Sequence, residues 1–194
     1  IAAVVVTLLA NHLVLFWLGW IAISLSLQQL LLFYPDRPRA QLAAHKKALS
    51  ARLGEALLAV AFTLLYLQFD SANIQHIIQQ LAGTTTASPL VHGAGVLLAL
   101  VALLKCAQLP LHGWLIQVVE APTPVSALLH AGIINLGGIL LLLFAPLMAI
   151  SSIASAVLLI AALFSTLLAA LIMTTRVSIK VRLAWSTVAQ MGLM

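Results

Sequence analysis

Long apolar runs separated by short polar breaks are the main pattern along this chain. Three of these runs, residues 13–34, 53–69 and 153–173, come close to or exceed the roughly 20 residues that an α-helix needs to cross the hydrocarbon core of a bilayer. Two more, residues 92–119 and 123–144, are also long enough, but they contain proline, glycine and ionisable residues. The pattern therefore predicts about five membrane-spanning helices.

Shorter apolar segments stand at both ends of the chain. Residues 1–10 and the helix expected from about Leu183 onward are each too short to span a bilayer. The chain also begins with Ile1 inside an apolar run, without an initiating methionine. We therefore expect an all-α membrane protein with a single transmembrane domain over residues 1–194, which is a fragment of a longer chain and has a truncated helix at each end.

Composition strengthens this interpretation and excludes several classes of protein. Hydrophobic residues make up 63% of the 194 residues and charged residues 7%, whereas a soluble domain carries about 25% charged residues. The net charge of +5 could suggest nucleic acid, but no basic stripe interleaved with aromatic residues is present. Cys106 is the only cysteine, and the histidines are scattered, so no disulfide framework, metal site or cofactor is expected in this chain.

The lysines and arginines decide the predicted orientation because most of them fall into two clusters. The first cluster lies within residues 35–52, and the second runs from Arg176 to Arg182. Cytoplasmic loops carry the excess of lysine and arginine, so both clusters are predicted to face the cytoplasm. Pro35 and Pro38 favour a loop for the first cluster.

The remaining polar connections are predicted to be turns. Residues 70–91 contain no lysine or arginine and are predicted to lie outside, with a short amphipathic helix around residues 74–78. Residues 120–123 form the next predicted turn, and Thr123 followed by Pro124 is a favourable helix start. Residues 146–152 are predicted to be an outer turn.

The stretch KCAQLPLHGW, residues 105–114, puts unusual residues inside a predicted membrane span. Pro110 lacks an N–H and clashes with the preceding helical turn, so it predicts a break, and hence a discontinuous transmembrane helix. Lys105 lies about 20 Å into the span at 1.5 Å per residue, too deep for its side chain to reach the headgroups easily. An ionisable group at this depth is a candidate for function. Lys105 is therefore a candidate proton carrier, and the alternative is a lysine held permanently by a carboxylate.

Four other ionisable residues are candidates for a proton pathway. Glu55 lies on the preceding span and is the candidate partner of Lys105, unless it only reaches the headgroup region. His112 and His130 suit proton relay because histidine titrates near neutral pH. Each could instead hydrogen-bond to a neighbouring helix, which is the preferred interpretation for His112. Lys180 is equally compatible with a positive anchor at the membrane surface.

Two motifs in the second half of the chain resemble the proton-translocating antiporter superfamily. Residues 105–143 contain K-x-A-Q-x-P-L-H-x-W-L followed by E-x-P-T-P-V-S-A-L-x-H-A, and residues 178–194 contain I-K-x-x-L-A-x-S-T-x-x-Q-x-G-x-M. That superfamily includes the large membrane-arm subunits of respiratory complex I, Mrp-type cation/proton antiporters and hydrogenase-linked pumps. The resemblance implies an antiporter-like helix bundle with a discontinuous transmembrane helix.

The resemblance also implies roles for individual residues. Lys105 matches the proton-carrying lysine of the broken helix, and His130 matches the histidine of the following helix. Lys180 matches a relay lysine further along, and Glu55 matches the acidic position of an R-x-G-D/E motif. One position departs from the family: the ion-pair glutamate that follows tryptophan in a G-W-E motif is Ile21 here.

Within the superfamily, the stretch HGWLIQVVEAPTPVSALLHAGIINLGG is similar to the membrane subunits of DAB inorganic-carbon accumulation complexes. This resemblance implies a bacterial inner membrane and H⁺ or Na⁺ flow that energises the hydration of CO₂ to bicarbonate. It also implies a cytoplasmic DabA-like partner that resembles a zinc β-carbonic anhydrase. The alternatives are a subunit of complex I, of a hydrogenase or of an Mrp-type antiporter, and a membrane anchor that transports nothing.

Overall fold

The computed structural model describes residues 1–32, 38–83, 88–118 and 123–194, which form helices joined by short connections. The helices are α1 (Ala2–Leu9), α2 (Leu13–Leu31), α3 (Pro38–Phe69), α4 (Ile74–Ala82), α5 (Pro89–Lys105), α6 (Gly113–Gln117), α7 (Thr123–Leu128), α8 (Leu136–Leu143), α9 (Ala145–Ile150), α10 (Ser152–Thr174) and α11 (Ile179–Leu193). A π-helical turn, Leu129–Ile133, connects α7 to α8. This all-helical architecture confirms the predicted fold class.

Three helices in the described ranges are long and apolar enough to cross a membrane: α2, residues 41–69 of α3, and α10. The apolar α5 is shorter, with 17 residues. The two predicted spans that contain proline and glycine are interrupted, so the five predicted spans become three long helices and two broken ones. Helix α10 leaves an apolar stripe exposed, as a lipid-facing surface requires; this stripe contains Leu159, Leu163, Leu167 and Leu171.

The predicted cytoplasmic loop over residues 35–52 is wrong from Pro38 onward, because α3 begins there and continues to Phe69. Proline is tolerated in the first turn of a helix, where its missing N–H is not needed. The alanine, leucine, glutamine and lysine residues that follow favour a helix. Residues 35–37 lie outside the described residues. As a result, the basic cluster belongs to the same long helix as Glu55.

Two further boundaries differ from the prediction. The helix predicted over residues 123–144 is interrupted by the π-helical turn, in which the Ile134 N–H bonds to the Leu129 carbonyl at 3.3 Å. The predicted turn over residues 146–152 is wrong for most of its length, because α9 takes Pro146 into its first turn. Helix α11 begins at Ile179, earlier than expected. The turn predicted at residues 120–123 falls outside the described residues except for Thr123, where α7 begins.

The core lies where α3 packs along α5, with α2, α8 and α10 around this pair. Aromatic rings from α2, α3 and the end of α8 meet in it; the contacts are Phe16–Trp20, Phe16–Phe62 and Phe62–Phe144, with centroids 5.8, 5.8 and 5.9 Å apart. The predicted amphipathic helix is confirmed as α4, which buries Ile74, Ile77 and Leu81. Helix α5 therefore ends inside the bundle and delivers its last residue, Lys105, to the interior.

Candidate proton site

The break in the fifth helix is built by the backbone before Pro110 is reached. Helix α5 ends at Lys105, and Ala107 adopts a left-handed conformation with φ 51°. The Gln108 N–H bonds to the Leu103 carbonyl at 2.9 Å, and the Ala107 N–H bonds to the Leu104 carbonyl at 3.3 Å. These bonds form a Schellman motif that uses alanine where glycine is usual. The break thus begins about four residues earlier than predicted.

Pro110 explains why the helix cannot continue past Cys106. In a continuous helix, the proline ring would clash with the carbonyl of the residue four positions earlier, which is Cys106, and that carbonyl would also lack its N–H donor. The side-chain amide of Gln108 replaces this donor, since its Nε2 bonds to the Cys106 carbonyl at 3.1 Å and to the Val188 carbonyl of α11 at 3.2 Å. The Cys106 carbonyl is therefore satisfied by a protein group, as the membrane interior requires.

Two further side chains hold the break in place. The Leu109 N–H donates to the Ser165 hydroxyl of α10 at 3.0 Å, and the Trp114 Nε1 donates to the Leu104 carbonyl at 3.2 Å. Because Ser165 and Trp114 come from different helices, the end of α5 is fixed on two sides. Lys105 is thereby held at a defined position inside the bundle.

Lys105 lines a narrow cavity of about 30 Å³, large enough for a water molecule. The cavity is enclosed by side chains of α2, α3, α5, α6 and the π-helical turn. The Lys105 ammonium nitrogen lies 4.6 Å from the centroid of the Trp20 ring, within the distance of a cation–π contact. Trp20 directly precedes Ile21, the position at which the resemblance implies a glutamate. Lys105 therefore contacts the aromatic ring of the residue before that position.

A second lysine reaches the same cavity from α3. Lys47 is only 5% exposed, and its ammonium nitrogen donates to the Ser24 carbonyl at 3.3 Å. The Ser24 hydroxyl is buried and has no hydrogen-bond partner among the described residues. Two lysines therefore line the cavity, and the buried Lys47 does not lie in the surface loop predicted over residues 35–52.

Glu55 directly follows Gly54, the last residue of α3 that lines the cavity. It is 4% exposed, and its Oε2 accepts a hydrogen bond of 2.6 Å from the half-exposed Arg52, three residues earlier. Its charge acts on both Lys47 and Lys105. Glu55 is therefore a buried residue of the bundle, paired with an arginine that is half-exposed.

The two predicted histidines contact the same helix, α11. His130 lies in the π-helical turn, and its Nδ1 forms a 2.8 Å hydrogen bond with the Thr187 hydroxyl. His112 lies in the break, with its ring centroid 4.9 Å from that of Trp185. Both histidines are half-buried. Helix α11 therefore joins the break to the π-helical turn.

Lys180 is not brought to this group. It lies in the first turn of α11 with its side chain exposed. The described part of the chain thus places Lys105, Glu55 and the additional Lys47 together, and both histidines against α11. It leaves the proposed relay lysine on the surface. No cluster of three metal-binding side chains occurs among the described residues.

A close contact between α5 and α8 positions Lys105 and yields a first prediction. A methyl group added at Gly137 would lie 2.9 Å from the Ala102 carbonyl oxygen and 3.3 Å from Lys105 Cβ. We expect Gly137→Ala to push α8 away from the Lys105 end of α5 and to destabilise the protein by about 1–3 kcal/mol. The measurement is thermal unfolding of the full-length protein in detergent.

Gly113→Ala is the matched control for this prediction. A methyl group at Gly113 meets nothing within 4 Å, and alanine favours a helix more than glycine does. We expect this control to unfold at or slightly above the temperature of the unmodified protein. Equal stability of the two variants would show that α8 has room to move at Gly137.

Comparison with known proteins gives this arrangement a family. The family described as NADH:quinone oxidoreductase/Mrp antiporter, transmembrane region, matches residues 10–194. The whole chain is 58% identical to a probable inorganic carbon transporter subunit DabB of Hydrogenovibrio crunogenus. Over 96% of its length it is 44% identical to a probable inorganic carbon transporter subunit DabB2 of Halothiobacillus neapolitanus. The chain spans 38% and 34% of these two relatives, about a third of their length.

A solved structure shows the same fold. The chain superposes on a chain of the Mrp complex from Dietzia sp. DQ12-45-1b with a TM-score of 0.91 and 27% sequence identity. The match covers 98% of this chain and 21% of that one. The predicted resemblance to the antiporter superfamily is thus confirmed by sequence and by fold. The chain is a multi-pass membrane protein and belongs to the NADH:quinone oxidoreductase/Mrp antiporter family.

Proposed function

We propose that this chain is part of an ion-translocating membrane subunit that energises the accumulation of inorganic carbon in a bacterial inner membrane. The observation that carries the proposal is the 58% identity, over the whole chain, to a probable inorganic carbon transporter subunit. Ile21 supports it because it stands where the resemblance to complex I-type subunits implies a glutamate. The transported ion is H⁺ or Na⁺.

Lys105 is the residue proposed to carry a proton during ion transport. It ends a broken helix, borders a cavity with room for water, and contacts an aromatic ring that stabilises the charged form without accepting its proton. A lysine in such a place can exchange its proton with water, whereas one locked to a carboxylate would hold it.

The further path is proposed to run toward α11. His130 hydrogen-bonds to Thr187, and the His112 ring contacts the Trp185 ring at a tilt of 44°, so both histidines border the same helix. Lys180 lies on that helix at the surface and is the proposed exit residue. The hydroxyl of Thr187 can donate or accept a proton, which suits a relay between histidine and water.

The proposed partner is a cytoplasmic DabA-like zinc protein resembling a β-carbonic anhydrase. Ion flow through the membrane subunit would drive one-way hydration of CO₂ to bicarbonate in that partner. The metal chemistry belongs to the partner, and this chain is assigned the ion pathway alone. Such a division requires a hetero-oligomer in which the conformational state of the membrane subunit is transmitted to the soluble protein.

A second candidate is a pumping subunit of complex I, of a hydrogenase or of an Mrp-type antiporter. The superposition on a chain of an Mrp complex favours it, since that similarity extends over 98% of this chain. The two functions differ in their soluble partners: a zinc protein in the first, and a redox module or other antiporter subunits in the second. The partner therefore decides between them.

Affinity purification of the full-length protein from its own membranes tests the proposal. We expect a soluble protein to co-purify in a fixed ratio and to contain about one zinc ion per chain by metal analysis. A mock purification from cells that lack the affinity tag is the control. Co-purification of subunits that oxidise NADH with quinone would instead establish the second candidate.

A further inference from the structure

Lys47 has no role in the function proposed above, yet it is one of the most deeply buried polar residues of the chain. It is 5% exposed, whereas its neighbour Lys46 is exposed. Its ammonium group is held by the Ser24 carbonyl of α2 and lines the cavity that Lys105 lines from α5. A buried lysine costs several kcal/mol of desolvation, so its retention beside another lysine requires a reason.

Within the described ranges, the charged groups around Lys105 come almost entirely from α3. That helix contributes Lys47 and Glu55, and Glu55 is also bound to Arg52. Cys106, which directly follows Lys105, has a buried thiol. The helices α2, α8, α9 and α10, which also surround α5, contain no ionisable side chain, and α6 contains none either. His112, ahead of α6, is directed to Trp185 of α11.

The sign of these charges matters for proton release. In the family resemblance, the lysine of the broken helix faces a glutamate, and an opposite charge favours the protonated lysine. Here Ile21 occupies that position, and a second lysine, Lys47, lines the same cavity. A nearby like charge disfavours the protonated form. Lys47 and Lys105 therefore oppose each other's charge, while Glu55 offsets only part of it because it is also bound to Arg52.

We infer that Lys47 is a positioning residue whose charge promotes the release of the proton from Lys105. It takes the regulatory role that the resemblance assigns to a glutamate. The inference rests on the proposed function, because it requires Lys105 to carry a proton. The Ser24 carbonyl fixes the Lys47 ammonium at the cavity wall, and the charge of Glu55 sets the strength of the repulsion. Proton movement is then controlled by repulsion between two lysines and not by attraction to a carboxylate.

The test is the pH dependence of inorganic-carbon uptake by cells that carry the full-length protein with Lys47→Gln. Loss of the Lys47 charge stabilises the protonated form of Lys105, so Lys105 releases its proton at a higher pH. We expect the midpoint of the pH profile to move up by about one unit, which corresponds to a tenfold change in proton affinity. Lys47→Met, one atom shorter than lysine and uncharged, is expected to give the same shift.

Two matched variants separate charge from shape. Lys46→Gln changes the exposed neighbouring lysine and is expected to leave the midpoint unchanged. Lys47→Arg keeps a positive charge and is expected to restore the midpoint of the unmodified protein. A Lys47→Arg profile that matches that of Lys47→Gln would reject the inference, because the charge would then be irrelevant.

Other outcomes distinguish this inference from the proposed function. An unchanged midpoint in Lys47→Gln, together with loss of uptake in Lys105→Ala, would reject the inference and leave the proposed function in place. Normal uptake in Lys105→Ala would reject the proposed function itself. If neither Lys47→Gln nor Lys47→Met assembled, Lys47 would be a structural residue, and the inference would fall.

Discussion

Inorganic-carbon uptake is expected to fall at least about a hundredfold when Lys105 is replaced by alanine in the full-length protein, since a positioned proton-transfer group contributes about 10²–10⁴ in rate. The variant would keep the apolar walls of the cavity and the break in the helix, but it would lose the group that takes up and releases the proton. The helix end should survive the change, because the Schellman motif and the Gln108 bonds use backbone and side-chain groups other than Lys105.

Assembly must be measured beside uptake for this result to be informative. Co-purification of the soluble partner in normal amount would show that Lys105→Ala removes transport and not the complex. Lys46→Ala is the matched control: it deletes an exposed lysine and is expected to leave both uptake and assembly unchanged. Normal uptake in Lys105→Ala would eliminate the proton-carrier role and favour a membrane anchor without transport.

Elements with a strong local pattern were predicted well from the sequence. The long apolar α10 and the amphipathic α4 have their expected type, and the break near Pro110 was expected from a residue that cannot continue a helix. The exact start of the break was not predictable from Pro110 alone. It depends on the left-handed Ala107, a residue with no local sequence signal for that conformation.

The main error of the sequence analysis concerns Lys47, and its cause is physical. Lysine and arginine near proline indicate a cytoplasmic loop by the rule for basic residues, and that rule concerns charge and not helix propensity. The buried positions of α3 follow the helical repeat, and Lys47, Glu55 and Leu58 all lie on its buried face. Extending the helix backward from Glu55 would have placed Lys47 on its buried face.

The contact between Lys105 and Trp20 could not be predicted for a different reason. Helices α2 and α5 are distant in sequence, and the contact depends on how both pack against α3. The sequence indicated only that the family's glutamate is Ile21. The structure adds that the ring of the preceding residue, Trp20, contacts Lys105 and that Lys47 lines the same cavity. Lys105 is therefore accompanied by an aromatic ring and a second lysine where the resemblance implies a carboxylate.

Glu55→Gln is expected to reduce uptake at least about tenfold, which corresponds to a loss of about 1.4 kcal/mol of interaction with the charged form of its partners. Among the described residues, Glu55 is the acidic residue whose charge acts on both Lys47 and Lys105, and glutamine keeps its shape without its charge. Its loss leaves Lys47, Lys105 and Arg52 without compensation. The protonated form of Lys105 is then destabilised, so the midpoint of the residual uptake should move to lower pH.

This shift is opposite in direction to the one expected for Lys47→Gln, and a purely structural disturbance has no reason to produce such a pair of opposite shifts. Asp70→Asn is the matched control, because it makes the same carboxylate-to-amide change at an exposed residue. Asp70 has a φ of 47°, a conformation that asparagine adopts readily, so the control should not strain the backbone. Near-normal uptake in Glu55→Gln would mean that the charge replacing the family's glutamate is not at position 55, and that the two lysines and the Trp20 ring control the proton without it.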